Sequence, residues 1–298
     1  MPLVVSNVVK NFGQKTAVDN ISFSINKPGV FGLLGTNGAG KTTTIRMILG
    51  ILSKDSGIIE WDGKPVKREN VRFGYLPEER GIYPKAKVGE QLVYFASLRG
   101  MNGKTARKSM KFWLDRLAVT EYENTVAEQL SKGNQQKIQL IATLIHDPEL
   151  IILDEPFSGL DPVNTDLFKG VIYELIDKGR YIIMSSHQMQ AVEEYCHEIL
   201  ILKDGKTIIS GNLKDIKRGY GRTNLSISCE EEIGHLAKEE GIVTENRKAA
   251  GYEFRIKSDD QAYRLLEKII KSNIRLDKFE IREPSLHEIF VEKVGENK

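Results

Sequence analysis

Cysteine is scarce in this sequence: only Cys196 and Cys229 occur in 298 residues, with no CxxC pair and no histidine cluster beside either. That excludes a disulfide framework and a zinc site of paired cysteines, and both residues read as small core side chains in a reducing compartment. No apolar run approaches the roughly 20 residues that a bilayer-spanning helix needs, and the stretch from Met1 to Lys10 lacks a basic segment followed by a long apolar one. Any membrane part of the system is therefore expected on another chain. An excess of one charge is missing as well. The 43 Lys and Arg nearly cancel the 41 Asp and Glu, leaving +2, so no overall field marks a nucleic-acid binder and no nucleic-acid partner is expected. An anion site has to be local. Repeats, heptad runs and low-complexity tracts are also absent.

What is present is an ordinary globular composition, 40% hydrophobic and 28% charged, at a length that allows about two domains. Residues 3–9 and 17–25 alternate as strands. A short apolar run, 30–34, enters a glycine-rich loop, and 42–50 then has helical spacing with Ile45, Ile48 and Leu49 on one face. Residues 88–100 and 104–119 read as helices. Two continuously apolar strands, 150–153 and 181–184, flank a helix over 163–178, which predicts a largely parallel sheet. Asp204-Gly205 marks a hairpin between 199–202 and 207–209. Past the basic segment 217–222 the pattern restarts as strand 224–229, helix 231–240, strands 242–245 and 252–256, helix 259–271 and strand 275–281. That βαββαβ order predicts a ferredoxin-like domain. The expected division is 1–215 for the first domain, with a helical part at about 78–130, then a linker at 216–222 and a small α+β domain at 223–298.

The chemistry begins at Gly35-Thr36-Asn37-Gly38-Ala39-Gly40-Lys41-Thr42, which satisfies the phosphate-binding loop in full and lies between a predicted strand and a predicted helix. The glycines let backbone N–H groups turn toward the phosphates and the helix N-terminus adds a favourable dipole. Lys41 reaches the terminal phosphates and Thr42 ligates Mg²⁺, with Thr43 following on the same turn. Residues 150–153 end in two adjacent acids, Asp154 and Glu155, giving a carboxylate for Mg²⁺ and one able to polarise water. Ser131 has the character of an N-cap, which serves either as a plain helix cap or as part of a second anion site. His187 follows the apolar strand at 181–184, where a lone histidine is either structural or functional. Phe12 is either a core aromatic or a platform for a base.

Glu155-Pro156-Phe157-Ser158-Gly159-Leu160-Asp161-Pro162 resembles the run that follows the acidic strand in ABC ATPases, and Leu130-Ser131-Lys132-Gly133-Asn134-Gln135-Gln136 resembles that family's LSGGQ signature. Lys132 and Asn134 depart from it. The resemblance covers Met1 to about Asp215, and it implies the P-loop ABC ATPase fold: a mixed, largely parallel sheet with an antiparallel β-subdomain and a helical subdomain. It further implies that ATP is bound with Mg²⁺ and hydrolysed with Glu155 as general base, that His187 contacts the γ-phosphate and Glu155, and that Phe12 stacks the adenine. Ser131 and Gly133 would then face the phosphate loop of a second ATPase subunit, and Asp161 would belong to the loop that signals across the dimer. The family's loop glutamine is here Glu78, which is either an oxygen ligand for Mg²⁺ or a surface acid.

The stretch from Tyr75 to Pro84 and the ending Glu283-Pro284-Ser285-Leu286-His287-Glu288-Ile289-Phe290 resemble bacterial exporter subunits of the drug or sodium-extrusion type, which also carry an extra C-terminal domain. The implied partners are a membrane permease and a second ATPase subunit, in a homodimer or heterodimer. The implied location is cytoplasmic, on the inner face of the cell membrane. The alternative is a soluble ABC ATPase of translation or DNA repair. Against it stand the single cassette and the short interval between Glu78 and Ser131, which leaves no room for a long coiled coil.

Overall fold

The computed structural model describes residues 2–67, 69–79, 81–248 and 251–295. Arg80, within the Tyr75 to Pro84 stretch, lies outside the described residues, as does Met1. The chain divides into two compact units, 1–210 and 211–298.

In the first unit, β1 (Leu3–Phe12) and β2 (Lys15–Ile25) form a hairpin, and β3 (Gly29–Gly35) leads through the glycine loop into α1 (Lys41–Ile48). β4 (Ser56–Trp61) and the short β5 (Lys64–Pro65) follow, then β6 (Phe73–Leu76), α2 (Val88–Leu98), α3 (Gly103–Arg116) and α4 (Lys132–Leu144). The last part alternates as β7 (Leu150–Asp154), α5 (Pro162–Asp177), β8 (Tyr181–Ser186), α6 (Met189–Tyr195), β9 (Cys196–Lys203) and β10 (Lys206–Asn212).

Two sheets result, ordered β2-β1-β4-β5 and β10-β9-β3-β8-β7-β6. The first is antiparallel. In the second, β9, β3, β8, β7 and β6 pair in parallel. Every residue of β3 and β7 is buried, which is why those segments read as unbroken apolar runs. Leu3, Val5 and Ile21 of one sheet share a core with Leu33, Ile152 and Ile183 of the other and with Ile45 of α1. At the hairpin from β9 to β10, Asp204 and Gly205 stand at φ 49° and 78°, as a two-residue turn with both centres left-handed requires.

The second unit holds α7 (Leu213–Tyr220), β11 (Asn224–Ser228), α8 (Gly234–Glu239), β12 (Val243–Lys248), β13 (Gly251–Arg255), α9 (Asp259–Lys271), β14 (Lys278–Arg282) and α10 (Leu286–Gly295). Its sheet runs β12-β13-β11-β14 with antiparallel neighbours, the ferredoxin-like arrangement of a βαββαβ chain. Leu225, Ile227, Phe254, Leu265 and Ile269 build its core.

Two expectations need correcting. The division falls before Gly211 rather than after 215, and the supposed linker at 216–222 lies mostly inside α7. Asn212 caps that helix by accepting from the backbone N–H groups of Lys214 (3.0 Å) and Asp215 (3.3 Å), and Gly221 ends it at φ 73°. Eight residues with three basic side chains read as a linker because so little apolar surface marks the helix.

Candidate functional site

The phosphate loop leaves β3 at Gly35, turns through Gly38 and Gly40, and enters α1 at Lys41. Gly35 and Gly40 stand at φ 151° and 103°. A Cβ on Gly35 would lie 2.5 Å from the Leu202 carbonyl oxygen, and one on Gly40 would lie 2.7 Å from that of Ala17. Both positions therefore exclude any side chain. The loop's concave side faces a cleft of about 470 Å³ lined by Phe12, Lys15, Thr36 to Thr43, Glu78, Asp154 and Glu155.

Lys41 is buried, and its Nζ donates to the carbonyls of Gly35 (2.8 Å) and Thr36 (3.3 Å) and stands 4.0 Å from Glu155 Oε1. Thr42 Oγ1 donates to Asp154 Oδ2 at 3.3 Å. Glu155 is 4% exposed and takes φ 52°, an uncommon left-handed backbone for a residue with a side chain. Its Oε1 lies 2.9 Å from Nδ1 of the half-exposed His187, whose backbone N–H points at Oε2 over 3.4 Å. Phe12 is exposed at the hairpin tip, with the Lys10 Nζ 5.5 Å from its ring centre.

The remaining expected residues lie outside the cleft. Ser131 caps α4, accepting from the Asn134 backbone N–H at 3.3 Å, and Asp161 caps α5, accepting from that of Asn164 at 2.8 Å. The Asn164 side chain links the two places: it donates to Asp161 Oδ2 (2.6 Å), and a Cβ on Gly133 would meet it at 3.0 Å. Two of the chain's helix N-termini thus sit side by side away from the phosphate loop.

Sequence reasoning missed three residues. Ser185 hydrogen-bonds to Asp154 Oδ1 and Tyr75 Oη to Asp154 Oδ2, the latter at 3.4 Å. Burial and the neighbouring Asp154 carboxylate push the Tyr75 phenol up to about 12. Gln139 Nε2 donates to the carbonyls of Pro77 and Glu79, both at 3.0 Å, and so clamps the segment that carries Glu78. Ser185 stands opposite Asp154 in the β7–β8 register, a relation visible only once the strands are paired.

Whether a cation fits can be asked of the donors. Thr42, Asp154 and the nearby Glu78 supply only hard oxygen atoms, the set that suits Mg²⁺. Among the described residues no group of three or more His, Cys, Asp or Glu could hold a metal by itself. A cation there must complete its shell with phosphate and water oxygens, as Mg²⁺ at nucleotide sites does.

A family model described as "ABC transporter" matches residues 18–158, and one described as "ATP-binding protein DrrA1-3-like, C-terminal domain" matches residues 211–294. The uncharacterised ABC transporter ATP-binding protein YhaQ of Bacillus subtilis (strain 168) is 48% identical over 294 residues, 98% of each chain. The linearmycin resistance ATP-binding protein LnrL of the same organism is 32% identical, again over 98% of both. A solved ATP-binding subunit of an ABC transporter superposes with a TM-score of 0.69 at 28% identity, covering 74% of this chain and 94% of that one. The chain belongs to the ATP-binding subunits of ABC transporters. ATP binding and ATPase activity are the properties of that family.

Proposed function

We propose that this chain hydrolyses ATP with Mg²⁺ to drive export through a separate membrane permease, working in a pair of ATPase subunits. The observation that carries the reading is the convergence of Lys41, Glu155 and His187 at one edge of the phosphate cleft. Lys41 and the loop N–H groups hold the β- and γ-phosphates. Glu155, buried and aimed by His187, accepts a proton from the attacking water, and His187 on its exposed side is placed to contact the γ-phosphate oxygens. Mg²⁺ bound between Thr42 and Asp154 would neutralise charge on the phosphates. Phe12 offers its face to the adenine.

A permease contact is supported by a second groove of about 980 Å³ between α1, β4, α2 and α4. Its rim exposes Ile51, Ile58 and Leu98 at 64%, 51% and 53%, apolar surface of the kind that receives an amphipathic helix. Among the described residues no helix is long and apolar enough to cross a membrane, so the path for the exported compound belongs to the partner. Export as the direction rests on the likeness to the linearmycin resistance subunit. The proposed location is the inner face of the cell membrane.

Lys41→Ala is expected to lose ATP binding. Glu155→Gln is expected to keep binding, measured with a fluorescent ATP analogue, and to lose about two to four orders of magnitude in turnover. Full ATPase activity in Glu155→Gln ends the general-base assignment.

A further inference from the structure

Asp154 and Glu155 are adjacent, nearly fully buried acids with different tasks, and a single hydroxyl touches both residues. Ser185, with no exposed surface, hydrogen-bonds to Asp154 Oδ1 and accepts the Glu155 backbone N–H at 3.2 Å; that N–H also reaches the Ser185 carbonyl at 3.1 Å. A serine hydroxyl has one donor and two acceptor sites, so both contacts are made at once. Strand register puts it there: Ser185 pairs with Asp154 across β7 and β8, on the same face of the sheet.

We propose that Ser185 is a positioning residue for hydrolysis, its hydroxyl holding the Asp154 carboxylate and the Glu155 backbone in one fixed arrangement. The two oxygens of Asp154 are held unequally. Oδ1 has the close contact to Ser185, while Oδ2 has only the longer ones to Thr42 (3.3 Å) and Tyr75 (3.4 Å). Ser185 thus fixes the rotation of the carboxylate and leaves Oδ2 turned toward Thr42, where a divalent cation would take it. On its other side Ser185 anchors the N–H of a residue at φ 52°, a backbone strained unless its surroundings hold it. That anchor keeps the Glu155 carboxylate within reach of His187 and Lys41. An outer hydrogen bond to a metal-ligating carboxylate is worth about 10–100-fold in metal affinity or activity when removed.

The inference rests on assigning the cation to Asp154 and the water to Glu155. Its test uses the full chain, with Mn²⁺ uptake by the ADP complex followed by electron paramagnetic resonance and kcat and KM for ATP followed at saturating Mg²⁺. Ser185→Cys keeps the side-chain shape with a somewhat larger atom and replaces the strong hydroxyl donor by a weak thiol one. It is expected to bind Mn²⁺ about 10-fold more weakly, to lose about 10–100-fold in kcat, and to leave KM nearly unchanged. Tyr75→Phe, which removes the longer contact and does not touch Glu155, is expected to weaken Mn²⁺ binding with a much smaller loss of kcat. Wild-type Mn²⁺ affinity and kcat in Ser185→Cys overturn the proposal, and if Ser185→Ala alone loses them, the residue only fills space. A wild-type ADP complex that takes up no Mn²⁺ overturns the Asp154 assignment beneath it, a failure distinct from an unaltered Ser185→Cys.

Discussion

Glu78 lines the same cleft as Asp154 and Glu155, at the point where the related ATPases carry an amide. A carboxylate keeps an oxygen for a cation, loses the amide's donor, and adds a negative charge facing Asp154, Glu155 and the γ-phosphate. Being exposed, it is screened by salt, so the repulsion is modest without metal and becomes attraction once a divalent cation binds. Glu78→Gln is therefore expected to hydrolyse ATP with a weaker dependence on free Mg²⁺ than wild type, most clearly at low ionic strength. Superimposable rate curves against free Mg²⁺ would return Glu78 to the role of a surface acid. The identity of this residue could be read directly along the chain, and so could the phosphate loop and the acid pair, because in each the chemistry lies in consecutive residues. Ser185, Tyr75 and Gln139 could not. Each acts through a partner between 31 and 79 positions away, and nothing in the one-dimensional pattern announces such a contact.

The elements show the same divide. Unbroken apolar runs mark β3 and β7, and apolar periodicity marks α9, whose buried face repeats at Ala262, Leu265 and Ile269. Such periodicity marks α7 and α10 only weakly; among the described residues α10 buries just Leu286 and Ile289, and it is tied to its sheet by Glu292, paired with Arg255 at 3.0 Å, and above all by Glu288. Glu288 Oε1 and Oε2 each receive an Arg282 guanidinium N–H at 3.0 Å, Asn224 Nδ2 adds a bond of 2.8 Å, and the Ser285 backbone N–H one of 2.6 Å. Burial by itself would raise the Glu288 pKa, but Arg282 and Ser285 outweigh it and bring it down to about 2. A carboxyl depressed in the folded state stabilises it above its unfolded pKa, near 4.5, and that contribution is lost as pH falls toward 2. Allowing for solvent screening, the contribution is about 1–2 kcal/mol at neutral pH. Glu288→Gln is expected to lower the unfolding temperature at pH 7 and to narrow its gap from wild type between pH 4.5 and 2. Calorimetry across that range decides it, and a gap that stays constant would mean that the charge of Glu288 contributes nothing.

The separation of the two halves of the proposed ATP site is a property no single subunit can remove. Ser131 and Gly133 stand at the start of α4, outside the cleft that holds the phosphate loop, yet the cap at Ser131 engages only the Asn134 N–H. The preceding N–H groups and the helix dipole remain available to an anion. A side chain at Gly133 would crowd the Asn164 amide that bonds Asp161. If the γ-phosphate bound to one phosphate loop is the anion for α4 of a second copy, ATP is the bond between subunits, and hydrolysis is what breaks it. Trapping ATP should then trap the pair. With Mg²⁺ and ATP, Glu155→Gln is expected to move from 33.6 kDa to about twice that mass in light scattering, and to return to the smaller mass when nucleotide is removed. Ser131→Arg in the same background places a long side chain and its charge across the helix start, and should keep the chain monomeric under identical conditions while leaving ATP binding to the phosphate loop intact. If the double variant pairs as readily as Glu155→Gln, α4 is not the surface that closes over the nucleotide, and Ser131 is only a helix cap.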